Sequence, residues 1–403
     1  MIKESFRCWW YQWLELQKKH LPWDRKTPGL LLLLSGIGIA FMYSIQRGYD
    51  NGKWKMQILW LCLGFLVYFG TASIHYHFFF RKSHLLYILS IVLLLLLWTP
   101  MGRTLGGSRR WLSLGMITFQ PSNVSEVATL LILASTLMRT RWITIRDAYP
   151  TLGFTFFVSG LSFFLIFLQP DLGSALVIPI LCFGLLFVSQ LPLRFFCILF
   201  FVCSVVFGLI AADTRGYYCQ IKQQPSFWKP FLPLKNYQRN RILSFAVPTS
   251  IDPKGVHVGW HLKQSLIAIG SGGWFGKGWT HNTQARLGFL PQAASLDDFI
   301  FSVLAEEAGL VGALFVLVLY ILLVFNNFRI ALMARDRLGC YFCVGVGLFM
   351  MSHIWINIGM TLGIMPITGL PTPFLSYGGS FLLMCFFCQG LVQSVYRFRW
   401  YEE

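Results

Sequence analysis

Charge is scarce in this chain. Only 12% of its 403 residues are charged and 16 are Asp or Glu, about half the charged share of an ordinary soluble domain. That deficit excludes a soluble globular fold. With 56% hydrophobic and 17% aromatic residues, it leaves an all-α polytopic membrane protein. No cleavable signal peptide is expected either, because residues 1–28 are charged and carry Trp9, Trp10, Trp13 and Trp23 before the first apolar run. Those tryptophans read either as an interfacial helix or as an aromatic tail. The ten cysteines fall almost entirely in apolar stretches, with Cys219 alone in the polar part. Cys340/Cys343 and Cys385/Cys388 have CxxC spacing but sit on apolar helices, where thiols pack as small hydrophobes. Neither a structural metal nor an extracytoplasmic disulfide is therefore expected. No RNA- or DNA-binding motif accompanies the net charge of +17, so no nucleic-acid partner is expected either.

What the chain does have is apolar runs of membrane-crossing length, about 20 residues each. Ten are predicted, near Gly29–Gln46, Met56–Ile74, His84–Pro100, Ser122–Arg139, Pro150–Leu168, Asp171–Gln190, Leu193–Ala212, Phe299–Asn326, Cys340–Leu362 and Tyr377–Tyr396. The termini and the short loops on one side hold 17 of the 33 basic residues, against six on the opposite short loops. The positive-inside rule then places both termini in the cytoplasm. The expected organisation is a cytoplasmic segment 1–28, a single transmembrane domain 29–396 and a cytoplasmic tail 397–403. Within the domain, 213–297 forms a large extracytoplasmic loop between the seventh and eighth helices.

That loop is the most informative part of the sequence, because connections this long inside compact proteins are usually functional. It carries Tyr237-Gln-Arg-Asn-Arg-Ile242, then Asp252-Pro-Lys-Gly255, then a Gly-rich run from Gln264 to Gly278. Ten basic residues face Asp213, Asp252, Asp297 and Asp298 there. The excess positive charge suits an anionic phosphate or pyrophosphate, or else an anionic lipid surface.

Acidic residues at or within the membrane are costly and so mark function or pairing. Glu126, Asp171, Asp298, Glu306 and Glu307 are the cases. Asp171 directly precedes an apolar helix, where it serves as an N-cap; a pore-lining or substrate role is the alternative. Asp252 belongs to an Asp-Pro-x-Gly turn signature. Its neighbours Arg239 and Arg241, and the glycines that follow, equally suit a general base acting on a hydroxyl. Gly309, Gly312, Gly345 and Gly347 on the eighth and ninth spans permit close helix approach, within the chain or to a single-span partner.

Several segments together resemble one family. Gly107-Ser-Arg-Arg-Trp111, Phe119-Gln-Pro-Ser122, Gln169-Pro-Asp-Leu-Gly173, Tyr237-Gln-Arg-Asn-Arg-Ile242, Ile267-Ala-Ile-Gly-Ser-Gly-Gly273 and Gly276-Lys-Gly278 occur in the order found in SEDS proteins (shape, elongation, division and sporulation). So do Asp298-Phe-Ile-Phe301, Glu306-Glu-Ala-Gly309, Asn357-Ile-Gly-Met360, Pro366-Ile-Thr-Gly-Leu-Pro-Thr-Pro-Phe374 and Ser376-Tyr-Gly-Gly-Ser380. The chain looks like the elongation branch, since the division branch usually has Lys where Thr368 stands.

The resemblance implies a ten-helix SEDS fold and a peptidoglycan glycosyltransferase of the bacterial cytoplasmic (inner) membrane. Such an enzyme polymerises lipid II, a disaccharide-peptide on a polyprenyl pyrophosphate, into nascent glycan beside a class B penicillin-binding protein. Asp252 matches the family's catalytic aspartate. The substrate-binding residues implied are Arg109, Arg110, Gln120, Ser122, Asp171, Arg241, Gln264, Ser265, Lys277, Gln284, Asp298, Glu306, Ser376 and Tyr377. A divalent cation, Mg or Mn, is an implied helper without an evident ligand set. Three departures stand near the site. Pro121-Ser-Asn123 with Glu126 replaces a Glu and Lys pair that bridges within the fourth helix. The stretches Asp252–His261 and Leu290–Phe299 are each two residues longer than the family's pattern, the latter without its Glu and His. A lipid II transporter using Asp171, Glu306 and Glu307, and a non-catalytic scaffold for a transpeptidase, are the competing functions.

Overall fold

A computed structural model describes residues 23–47, 52–105, 108–114, 117–139, 145–189, 191–222, 229–232, 234, 236–246 and 259–400. Trp9, Trp10 and Trp13 and the Asp252 turn lie outside the described residues, and of Arg241 only the backbone is described. A helix occupies each of the ten predicted positions: α1 (Lys26–Gln46), α2 (Lys53–Ser73), α4 (Ser83–Leu96), α5 (Pro121–Arg139), α6 (Ile145–Leu168), α7 (Leu172–Val188), α8 (Leu193–Ile221), α12 (Ile300–Met333), α13 (Arg337–Thr361) and α14 (Gly379–Arg397). Short helices α3 (His77–Arg81), α9 (Asn236–Ala246), α10 (Trp260–Gly272) and α11 (Gln292–Leu296) fill the connections. The protein is a membrane protein, with seven helices among the described residues long and apolar enough to cross a bilayer and two shorter apolar ones, α4 and α7.

The tenth, α5, lacks such an apolar run because its first turns carry Ser122, Asn123, Ser125, Glu126 and Thr129, all buried within the protein. It lies among α4, α6, α7 and α13, while α14 packs on α2 and α13 on α12. Leu130, Leu185, Phe349 and Phe386 belong to one continuous apolar core. Gly345 and Gly347 are consumed inside this bundle. A Cβ at Gly345 would run into Leu130 and one at Gly347 into Phe328, so these two glycines serve packing within the chain and offer no partner surface.

The structure departs from the sequence reading in three places. First, the third span ends at Leu96, and the residues up to α5 form a three-stranded antiparallel sheet, β1 (Gly102–Leu105), β2 (Ser108–Leu114) and β3 (Ile117–Phe119). Trp111 pairs with Arg103 and Leu112 with Phe119. Second, α8 continues past Ala212 to Ile221. Asp213 stays helical because both its oxygens are engaged: Arg239 Nε donates at 2.8 Å, and the N–H groups of Phe231 and Leu232 donate at 2.6 and 2.7 Å. A buried carboxylate so satisfied no longer forces the chain into water.

Third, α12 is broken at Gly309, whose φ of +68° only glycine adopts readily. A break in a membrane helix leaves backbone groups unpaired, at several kcal/mol each unless something replaces the lost bonds. The Gly-rich loop after α10 does so. The N–H groups of Lys277 and Gly278 donate to Glu306 O and Glu307 O at 3.0 Å each, and those of Leu310 and Val311 donate to Gly273 O and Trp274 O. Gly276 and Gly309 lie so close that a Cβ on either would strike the other's segment. The glycines of this run therefore pack backbone against backbone.

Candidate functional site

A cavity of about 370 Å³ opens where six segments converge. Helix α2 contributes Met56 and Trp60, the sheet contributes Trp111 and Thr118, and the entry to α5 contributes Gln120 and Asn123. Asp297 comes from the turn between α11 and α12, Gly369 and Pro371 from the segment after α13, and Tyr377 to Phe381 from the start of α14. Gly379 is required because Trp60 occupies the space a Cβ would take. Asn123 closes the wall by donating to Ser380 Oγ at 3.4 Å.

The irregular backbone behind this cavity is held by polar side chains projecting from α12 and α13. Asn357 Nδ2 donates to Asp298 O at 2.8 Å and to Leu370 O at 2.5 Å. Tyr320 donates its hydroxyl to Pro373 O at 2.7 Å. The His353 ring lies with one nitrogen 3.4 Å from Pro371 O and the other 3.3 Å from Glu126 Oε2. Such side chains let non-helical backbone persist at membrane depth. They also explain the altered fourth helix: Glu126 finds its partner across the bundle in His353, both fully buried.

Asp171 sits beside the cavity. Its side chain accepts from Ser174 N, capping α7, and also from Gln120 Nε2 at 3.0 Å and Ser122 Oγ at 3.4 Å. Arg110 approaches to 3.5 Å and also donates to Gln169 O and Pro170 O. Because residues alternate along β2, Arg109 leaves the other face of the strand and donates to Gly102 O and Thr99 O. Asp171 thus caps a helix and organises the cavity-lining Gln120 in one arrangement.

The remaining sequence-predicted residues divide into two groups. Lys277 Nζ pairs with Glu306 at 2.5 Å and with Thr283 Oγ1 at 2.7 Å, while Gln284 N donates to Glu306 Oε2 at 3.4 Å. Glu307 accepts from Ser44 and Asn282. Glu306, Glu307, Lys277 and Gln284 thereby clamp the Gly-rich loop onto the broken α12. Nearer the cavity, Ser376 Oγ accepts from Thr372 N at 2.9 Å, and Tyr377 N donates to Leu296 O at 2.9 Å. Ser265 donates to Thr361 O at 2.7 Å, and Gln264 is buried next to it. Of the four basic residues implied to bind substrate, Arg109, Arg110, Arg241 and Lys277, the first two and Lys277 have partners within the protein. Among the described residues, no three His, Cys, Asp or Glu side chains gather as a metal ligand set.

Sequence reasoning missed Trp60, Asn123 and Asp297 as cavity residues. Trp111 and Ser380 fall inside quoted motifs, so a signal for them existed. Asp297 carried a weaker one, as an acid directly before Asp298. Its side chain keeps solvent access through the cavity, yet protein atoms crowd it from the surrounding wall. Burial, then the neighbouring Asp298, push its carboxyl up to about 7, with Lys53 pulling the other way.

Comparison with known proteins places this architecture. Residues 26–401 match the family model described as Cell cycle protein, FTSW_RODA_SPOVE. The chain is 35% identical over 388 residues to peptidoglycan glycosyltransferase MrdB of Escherichia coli (strain K12), covering 94% of this chain and 95% of that protein. It is 31% identical over 424 residues to peptidoglycan glycosyltransferase RodA of Treponema pallidum (strain Nichols), covering 91% and 95%. Among solved structures, a chain from a study of polymerization and crosslinking by a peptidoglycan synthase complex superposes with a TM-score of 0.75 at 28% identity, covering 95% of this chain and all of that one. Rod shape determining protein RodA of Thermus thermophilus superposes with a TM-score of 0.65 at 27% identity, covering 95% and 99%. With one fold and one family model spanning nearly its whole length, the chain belongs to the FtsW, RodA and SpoVE family of cell cycle proteins.

Proposed function

We propose that this protein is a peptidoglycan glycosyltransferase that polymerises lipid II into glycan strands during cell-wall elongation, working beside a class B penicillin-binding protein. The observation that carries the reading is the cavity. Aromatic rings, amides and a carboxylate line it, in a chain similar end to end to a peptidoglycan glycosyltransferase. In the reaction, an acceptor sugar hydroxyl attacks the anomeric carbon of the donor. A new C–O bond forms, the bond to pyrophosphate breaks and the pyrophosphate leaves with the electron pair. One displacement inverts α to β. Asp252 takes the hydroxyl proton as general base. Basic groups of the extracytoplasmic loop, Arg241 among them, offset the charge of the leaving group. A divalent cation, where bound, would supply further charge neutralisation.

Residues proposed as a charged transport path are committed elsewhere: Asp171 caps α7, and Glu306 pairs with Lys277. The polymerase reading therefore needs no transport step. The protein lies in the bacterial cytoplasmic membrane with both termini inside. External cysteine labelling should then mark a probe at Gln223 and spare one at Arg335; the reverse pattern would refute that orientation.

The deciding experiment is polymerisation of lipid II by purified protein with and without the cognate class B protein. Asp252→Asn keeps turn geometry and should bind the partner while losing at least ~10²-fold in rate. Polymer at near wild-type rate from Asp252→Asn would sink the mechanism. No polymer from the wild-type complex would leave the scaffold role.

A further inference from the structure

Asp297 presents a carboxylate to the cavity with no hydrogen-bond partner among the described residues. Its turn is fixed by backbone bonds, Asp297 N to Ala293 O at 3.1 Å and Phe299 N to Ala294 O at 2.9 Å, so the side chain is held at the wall. Trp60, Trp111 and Tyr377 line the same space, with the neutral donors and acceptors of Gln120 and Ser380. Aromatic faces cover the C–H faces of sugar rings, and an anionic acceptor suits hydroxyl and amide N–H donors. The same carboxylate repels a pyrophosphate brought into the cavity.

We propose that Asp297 contacts the sugar portion of the substrate and fixes its orientation, sugar rings toward Asp297 and pyrophosphate away from it. This assignment rests on the glycosyltransferase reading and adds a specificity-determining residue to it. The ionisable groups facing Asp297 are Asp298 on its own turn, Lys53 at the start of α2 and Tyr377 before α14. Because the carboxyl is pushed up to about 7, its ionised, hydrogen-bond-accepting form dominates only above that pH. Sugar binding therefore strengthens as pH rises through 7.

The test is calorimetric binding of the neutral disaccharide N,N′-diacetylchitobiose to the full chain in detergent, at pH 6 and pH 8. Wild type should bind about tenfold more tightly at pH 8, the change in ionised fraction across a group titrating near 7. Asp297→Asn and Asp297→Thr should bind with the weaker affinity at both values. They should also bind inorganic pyrophosphate at least as well as wild type. Equal disaccharide affinity and equal pH dependence in wild type and both variants would overturn the proposal, as would loss of pyrophosphate binding on substitution. The same preparations are assayed for polymer. Polymer formation without an Asp297 effect removes this assignment alone, whereas a wild-type complex that makes no polymer removes the glycosyltransferase reading and this assignment with it.

Discussion

Helices α8 and α13 both cross the membrane, and they do so on opposite terms. No span is more apolar than α8, yet none of its most apolar stretch is buried in the protein; in the less apolar α13, 72% of the corresponding stretch is buried. Phe200, Phe201 and Phe207 of α8 are exposed. Helix α13 instead carries His353 and Asn357, both fully buried. The difference follows from the solvent. Lipid is as apolar as a leucine side chain, so apolarity alone gives a helix no reason to enter the bundle, whereas small and polar residues do. In this protein polar content marks the interior, and the cavity is built where polar residues concentrate.

The largest test of that contrast is the Glu126–His353 pair between α5 and α13. His353→Leu leaves a fully buried carboxyl without its hydrogen-bond partner, a change that costs about 1–3 kcal/mol, and the lost ring packing against Phe349 and Phe381 adds to it. The unfolding midpoint in detergent should fall sharply. Glu126→Leu combined with His353→Leu should recover much of the loss, because no unsatisfied buried polar group remains from the pair. A His353→Leu protein as stable as wild type would show that α13 does not depend on its polar contacts.

A smaller effect compares one substitution on the two helices. Gly345→Leu drives a side chain into Leu130 and should cost about 1–3 kcal/mol, the range for overpacking. A Cβ at Gly208 on α8 meets nothing within 4 Å, so Gly208→Leu should change stability by less than about 0.5 kcal/mol. Similar losses at both positions would mean that α8 is packed after all.

Much of this architecture was legible in advance because hydropathy and span length need no tertiary information. All ten helices lie at the predicted positions, and Asp171 caps α7 as its place before an apolar run implied. What stayed hidden depended on contacts between distant segments. Nothing local announces that Asp213 meets Arg239, which is why α8 outran its expected end. Asn123 read as the loss of a charged residue, whereas its amide reaches Ser380 from α14 and Glu126 has His353 instead. By sequence the glycines that follow Asp252 suit a site for a general base, but Gly276 packs against the broken α12. Asp297 was legible as an acid and illegible as a cavity residue, since six segments must meet before the cavity exists.

The smallest effect concerns how the two helices begin. Helix α8 follows Pro192 and has no side-chain cap, whereas Asp336 caps α13 by accepting from Gly339 N at 2.9 Å. Asp336 also accepts from the Tyr76 hydroxyl at 2.9 Å and meets His77 Nε2 at 2.8 Å. Burial raises its carboxyl, but the bonds from His77, Gly339 and Tyr76 outweigh burial and hold it below the ordinary carboxylate range. A carboxyl with a lowered folded-state pKa stabilises the fold above its unfolded value and loses that contribution as pH falls through the folded one. Asp336→Ala should therefore cost about 0.5–2 kcal/mol near neutrality, the range for a lost cap. Asp336→Asn should cost less, because Asn caps nearly as well and only the charge is lost. Measured against wild type, the Asn deficit should shrink as the pH is lowered below about 4. A deficit that stayed constant from neutral to acidic pH would show that the Asp336 charge contributes nothing, and that α13 starts as indifferently as α8.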